Sequence, residues 1–126
     1  MAGRNTFRPT RTAVCLAWML AIAPAASAHA FLEHASPGVG STVAAPAELR
    51  LTFTERVEPL FSRVTVRSPA GTPLPAGRLE TARNGQQLVV KLPKLAPGTY
   101  TVQWHVTSVD THKTQGSFRF TVQPGS

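Results

Sequence analysis

The residues best suited to chemistry lie late in the chain, at Asp110-Thr111-His112. In an extended backbone, side chains two apart leave the same face, so a carboxylate and an imidazole could be presented together. Taken alone, the triplet reads more readily as a surface Asp that accepts turn hydrogen bonds beside a solvated His. A second feature, His29, stands directly after Ala26-Ser27-Ala28. If the chain is cut there, His29 supplies an α-amine and an imidazole from one residue, which can chelate a single metal ion. With His112 this makes three nitrogen donors, and Asp110 adds an oxygen. Cu(II) prefers tetragonal N/O coordination and leads the divalent affinity series. A free α-amine titrates near pH 8 and a free imidazole near 6.5, so a metal can displace both protons at neutral pH.

Other polar residues have weaker claims. Glu55, in Phe53-Thr54-Glu55, is either a further oxygen ligand or a solvated carboxylate beside Arg56. Glu58 is explained by Pro59 and the turn. His34 reaches a metal only if the first strand bends. His105, mid-strand and opposite in direction to Trp104, is expected to be solvated or paired across strands. The sequence holds no H-E-x-x-H, G-x-S-x-G or Walker loop. Ser108, Asp110 and His112 are too close in sequence for a Ser-His-Asp triad, whose members approach from separate segments. No catalytic residue is assigned.

The proposed terminus depends on export. Arg4, Arg8 and Arg11 form a positive n-region, Ala13 to Ala23 is an apolar stretch, Pro24 ends it, and Ala26-Ser27-Ala28 is a small-residue cleavage site. Residues 1–28 are therefore expected to be a cleaved Sec signal peptide. Residues 29–126 form one exported domain with no internal boundary. No apolar run reaches the ~20 residues of a spanning helix. Loss of the three arginines takes the net charge from +7 to about +4. The remaining cations are scattered without interleaved aromatics, which argues against nucleic-acid binding. The only cysteine and both methionines leave with the signal. Disulfides are thus excluded, and soft Cu(I) has no sulfur ligand.

The scaffold is legible as alternation of period two. Leu49/Leu51/Phe53, Val64/Val66, Leu88/Val90/Leu92, Tyr100/Val102/Trp104/Val106 and Phe118/Phe120/Val122 each put apolar side chains on one face. Ser36-Pro37-Gly38, Ser68-Pro69-Ala70-Gly71, Asn84-Gly85 and Pro97-Gly98 supply turns, with Asn84-Gly85 favouring a tight hairpin. The expected fold is all-β: an Ig-like, antiparallel Greek-key β-sandwich of about seven strands. The D-x-H triplet falls in a loop of about ten residues between strands ending near Thr107 and starting near Ser117.

The ordered set of segments resembles the CopC-type periplasmic copper-resistance proteins. It comprises His29-Ala30-Phe31-Leu32, Ser36-Pro37, the run Ala45 to Glu55, the run Leu95 to Trp104, Ser108 to His112, and Gly116-Ser117-Phe118. The resemblance implies a periplasmic β-sandwich holding one Cu(II) through His29, Asp110 and His112, with Glu55 as an added ligand in some members. It also implies work beside an inner-membrane copper transporter of the CopD type. The Met-rich Cu(I) segment of some members has no counterpart here, so a single Cu(II) site is expected. The leading reading is a monomeric carrier or buffer for copper homeostasis, not an enzyme. The alternatives are a copper monooxygenase built on an N-terminal His, and an Ig-like adhesion module without metal.

Overall fold

The structure, a computed structural model, describes residues 30–75 and 77–125. The expected signal peptide and His29 lie outside the described residues. Eight strands alternate with short turns: β1 (Leu32–Ser36), β2 (Thr42–Val43), β3 (Glu48–Phe53), β4 (Arg63–Arg67), β5 (Glu80–Ala82), β6 (Gln87–Lys91), β7 (Gly98–Thr107) and β8 (Lys113–Val122). They form two four-stranded sheets, ordered β1-β3-β6-β5 and β2-β8-β7-β4. The chain changes sheet at every connection from β1 to β5 and again from β6 to β7, staying within one sheet only from β5 to β6 and from β7 to β8. One pairing departs from the antiparallel expectation. The two-residue β2 runs parallel to β8, Thr42 beside Thr121 and Val43 beside Val122. It enters the second sheet directly from β1 in the first, so the turn at Pro37-Gly38 sets its direction.

Burial follows the period-two pattern in most strands. Leu49, Leu51, Phe53, Val66, Val90, Val102 and Phe120 are fully enclosed between the sheets. Trp104 meets Phe53 edge-on at 5.2 Å, and Tyr100 stacks on Phe120 at 5.6 Å. The Tyr100 hydroxyl donates to the Ala96 carbonyl at 2.7 Å, tying the entry of β7 to its preceding loop as in a tyrosine corner. Strand β6 breaks the pattern, because Gln87 and Val89 on its outer face are also buried. Gln87 is satisfied there: Arg50 Nη1 donates to its Oε1 at 2.8 Å, and its own Nε2 donates to Thr52 Oγ1 at 2.9 Å.

A hairpin forms at Asn84-Gly85, with φ of 58° and 88°, but its loop is longer than the tight turn expected: it runs over residues 83–86, and Arg83 also takes a positive φ of 51°. The loop carrying the D-x-H triplet does not match the expected length. It spans only residues 108–112, because β8 begins at Lys113 and pairs with β7 through Thr107–Lys113, Val106–Thr114, His105–Gln115 and Trp104–Gly116. Polarity hid this part of the strand. At the register position that faces the core, Gly116 has no side chain to advertise, and the Trp104 indole covers it instead.

Candidate metal centre

The short connection between β7 and β8 is held by backbone bonds on all sides. Ser108 N–H donates to the His112 carbonyl at 2.9 Å and Thr111 N–H to the Ser108 carbonyl at 2.8 Å. Across the sandwich, Val109 N–H donates to the Arg56 carbonyl at 3.0 Å and Glu58 N–H to the Thr107 carbonyl at 2.8 Å. Thr111 takes a φ of 74°, a left-handed conformation that a β-branched residue adopts only when its surroundings impose it.

This tight turn, rather than strand alternation, brings Asp110 and His112 together. His112 Nδ1 lies 3.8 Å from Asp110 Oδ1, and both side chains are roughly half exposed. Beneath them the fully buried Ser108 donates its hydroxyl to Asp110 Oδ1. The same hydroxyl accepts the His112 N–H at 3.3 Å. A hydrogen bond to the ionised form favours that form, so the Ser108 hydroxyl holds the Asp110 carboxyl below the usual carboxylate range. The loop therefore offers an ionised oxygen donor, oriented by one buried hydroxyl, and an imidazole whose main-chain N–H is bonded to that same hydroxyl.

The chain that follows His29 is stitched to the same end of the sandwich. Ala30 is fully buried, and its carbonyl accepts the Thr114 hydroxyl at 2.5 Å. Thr114 is two residues past His112. Phe31 pairs with the end of β3, its N–H donating to Thr54 Oγ1 at 3.0 Å while Thr54 N–H donates to its carbonyl at 2.9 Å. Adjacent Cα atoms are 3.8 Å apart, so position 29 starts one residue from this anchor.

The remaining candidates fall elsewhere. Among the described residues no three of His, Cys, Asp and Glu converge in a metal-sized cluster, so Glu55 does not complete a group with Asp110 and His112. Glu55 is exposed beyond the end of β3. His34 is exposed on β1 opposite Thr52. His105 is exposed on the outer face of β7, with Arg63 and Gln115 as register neighbours, as expected for a solvated strand histidine. Sequence reasoning missed Ser108 and Thr114. Their signal is positional: each is two residues from a candidate ligand, but only the hairpin register turns that spacing into contact.

Residues 32–123 match the CopC domain. This chain belongs to the CopC family. It is 41% identical over 124 residues to the protein YobA of Escherichia coli K12, covering 94% of this chain and 98% of that one. It is 35% identical to the copper resistance protein C of Xanthomonas campestris pv. juglandis, over 93% of this chain and 98% of that one. The crystal structure of CopC from Methylosinus trichosporium OB3b superposes with a TM-score of 0.71 at 35% identity, covering 78% of this chain and 97% of that one. The CopC β-sandwich expected from the sequence is thus the fold observed. No helix among the described residues is long and apolar enough to cross a membrane.

Proposed function

We propose that this CopC-family chain is a periplasmic Cu(II)-binding protein for copper homeostasis and resistance, a carrier or buffer and not an enzyme. The cargo would be held by the amine and ring of His29, exposed by removal of residues 1–28, and by Asp110 and His112. Glu55 stays outside this primary set. The name of the Xanthomonas relative, a copper resistance protein, supports copper as the ion. The donor set supports the oxidation state: residues 29–126 contain neither Cys nor Met, so nitrogen and oxygen are the donors available. These suit Cu(II) and disfavour Cu(I).

The observation that carries this reading is the anchor at Ala30. A terminus free to wander would bring its amine to the loop only rarely. The bond from Thr114 to Ala30 fixes the start of the domain beside the strand that emerges from the Asp110–His112 turn. The chain's own residues then have separate roles. Ser108 orients Asp110, Thr114 and Thr54 hold the N-terminal arm, and the exposed ligands remain open to an exchanging partner. A monomer delivering one ion to an inner-membrane transporter of the CopD type fits that openness.

The test is electron paramagnetic resonance of the exported protein with one equivalent of Cu(II), beside a variant with Ala inserted before His29. The insertion separates the terminal amine from the ring. Fewer coordinated nitrogens and weaker binding are expected. An unchanged spectrum and affinity in the insertion variant would reject the chelate.

A further inference from the structure

A second feature at this end of the molecule is unrelated to metal ligation. After Glu58, a single 3-10 turn, Pro59–Phe61, lifts two consecutive apolar side chains off the surface. Leu60 is 89% exposed and Phe61 72% exposed, the highest values among the large hydrophobics of the described residues. The turn is fixed at its base, not loose. Thr107 Oγ1 donates to the Phe61 carbonyl at 2.9 Å, Ser62 Oγ accepts the Thr107 N–H at 3.1 Å, and Ser62 Oγ donates to the Glu58 carbonyl at 2.7 Å.

Leu60 and Phe61 overhang an open cavity of about 610 Å³ on the outer face of the β2-β8-β7-β4 sheet. Its wall carries Arg63, His105 and Lys113 and contains no carboxylate. The register explains the cluster. Arg63 lies opposite His105, and Lys113 opposite Thr107, two residues further along the same strand. Neither Arg63 nor Lys113 has an ion-pair partner among the described residues.

We propose that this face docks on an anionic phospholipid surface, with Leu60 and Phe61 entering the acyl boundary and Arg63 and Lys113 meeting headgroup phosphates. Apolar side chains beside unpaired cations are the combination that such an interface rewards. Burial of the apolar tip supplies non-specific affinity, and the cations select anionic lipid. The neighbouring carboxylates, Glu58 and Asp110, stand outside the cavity wall. Lys113 directly follows His112, so a docked molecule would keep its candidate metal loop close to the membrane plane. The docking itself does not rest on copper binding.

The test is co-sedimentation of the metal-free exported protein with phosphatidylcholine vesicles, with and without phosphatidylglycerol. Binding is expected only to vesicles containing phosphatidylglycerol, and it weakens as salt is added. Leu60→Ser/Phe61→Ser should lower the partition coefficient at least about tenfold. Arg63→Gln and Lys113→Gln should each lower it about fivefold. Both apolar side chains point to solvent, so circular dichroism of these variants should match the parent. Four results overturn the proposal: no binding to anionic vesicles; equal binding to pure phosphatidylcholine; cavity resonances that respond to inorganic phosphate without any sedimentation on vesicles; or a dimer in solution that Leu60→Ser/Phe61→Ser dissolves.

Discussion

Replacing Thr114 with Val tests whether the buried anchor at Ala30 serves the proposed metal site. The substitution preserves shape and strand propensity on β8 and removes only the hydroxyl that donates to the Ala30 carbonyl. Ala30 is fully buried, so its carbonyl would be left without that donor. An unsatisfied buried acceptor costs about 1–3 kcal/mol. The chain has an alternative of comparable enthalpic cost, favoured by the ~1–2 kcal/mol of backbone freedom that each released residue regains. Releasing Ala30 and Phe31 forfeits the two bonds to Thr54, each worth about 0.5–1.5 kcal/mol, and returns both residues to water. The penalty is therefore expected to appear mostly as a detached arm. If the arm carries a ligand, every 1.4 kcal/mol needed to re-dock it costs tenfold in affinity, so Cu(II) binding should weaken roughly 5- to 100-fold. The metal-free melting temperature should fall by roughly 4–8 °C for each kcal/mol of the penalty that the folded domain retains. Competition titration against a chromophoric Cu(II) chelator gives the affinity, and calorimetry gives the melting temperature. Thr114→Ser, which keeps the hydroxyl, should recover most of the affinity. If Thr114→Val binds Cu(II) as tightly as the parent, the arm does not hold a ligand, whatever happens to stability.

Other outcomes follow from single contacts. In Gly116→Ala, the new Cβ would stand 2.5 Å from Trp104 Cζ2 and 2.8 Å from Cε2, so the indole must shift against Phe53. A loss of about 1–3 kcal/mol is expected, with a red-shifted emission from Trp104, the one tryptophan of residues 29–126. Unchanged emission would contradict the packing. Ser108→Ala removes the bond that depresses the Asp110 carboxyl, so its pKa should rise towards the ordinary 3.8. The sign follows from linkage. A depressed carboxyl contributes stability that is present above its unfolded pKa and is lost as pH falls through the folded one. In the variant that contribution shrinks, because only the main-chain bond and His112 still hold the carboxyl low, and a carboxyl-detected NMR titration reads the shift directly. Glu48 is held low first by Arg50 and then by Lys91, so its contribution should also vanish only on the acid side of the carboxylate range. Glu48→Gln should flatten that limb of the stability profile and leave neutral-pH copper binding untouched. Finally, Thr111→Gly relieves a left-handed backbone at a β-branched residue. It should raise stability by up to about 1 kcal/mol in chemical denaturation, and a loss of stability would show that the turn is not strained.

Much of the scaffold was legible because burial in a sandwich imposes period two. Leu49, Leu51 and Phe53, or Val102, Trp104 and Val106, must share a face if they are to leave water together, and that requirement is written locally. Asn84-Gly85 was legible for a similar reason, since few residue pairs accept positive φ in succession. The start of β8 was not. Lys113, Thr114, Gln115 and Gly116 present no alternating apolar face, and they join the strand only because β7 offers them a ten-residue partner. Gln87 and Val89 likewise gave no sign of burial on the outer face of β6, where Arg50 and Thr52 from β3 cover and satisfy Gln87.

The division at the candidate metal end follows the same physics. The types and order of His29, Asp110 and His112, and the lack of sulfur in residues 29–126, belong to the sequence alone, because donor chemistry is a property of the side chain. The orientation of Asp110 by Ser108, the attachment of Ala30 to Thr114 and the overhang of Leu60 and Phe61 above Arg63 and Lys113 belong to the tertiary structure. The Thr114–Ala30 contact joins positions 84 residues apart, which only the packing of the sandwich brings within bonding distance, whereas the tight turn between β7 and β8 sets the Ser108–Asp110 bond.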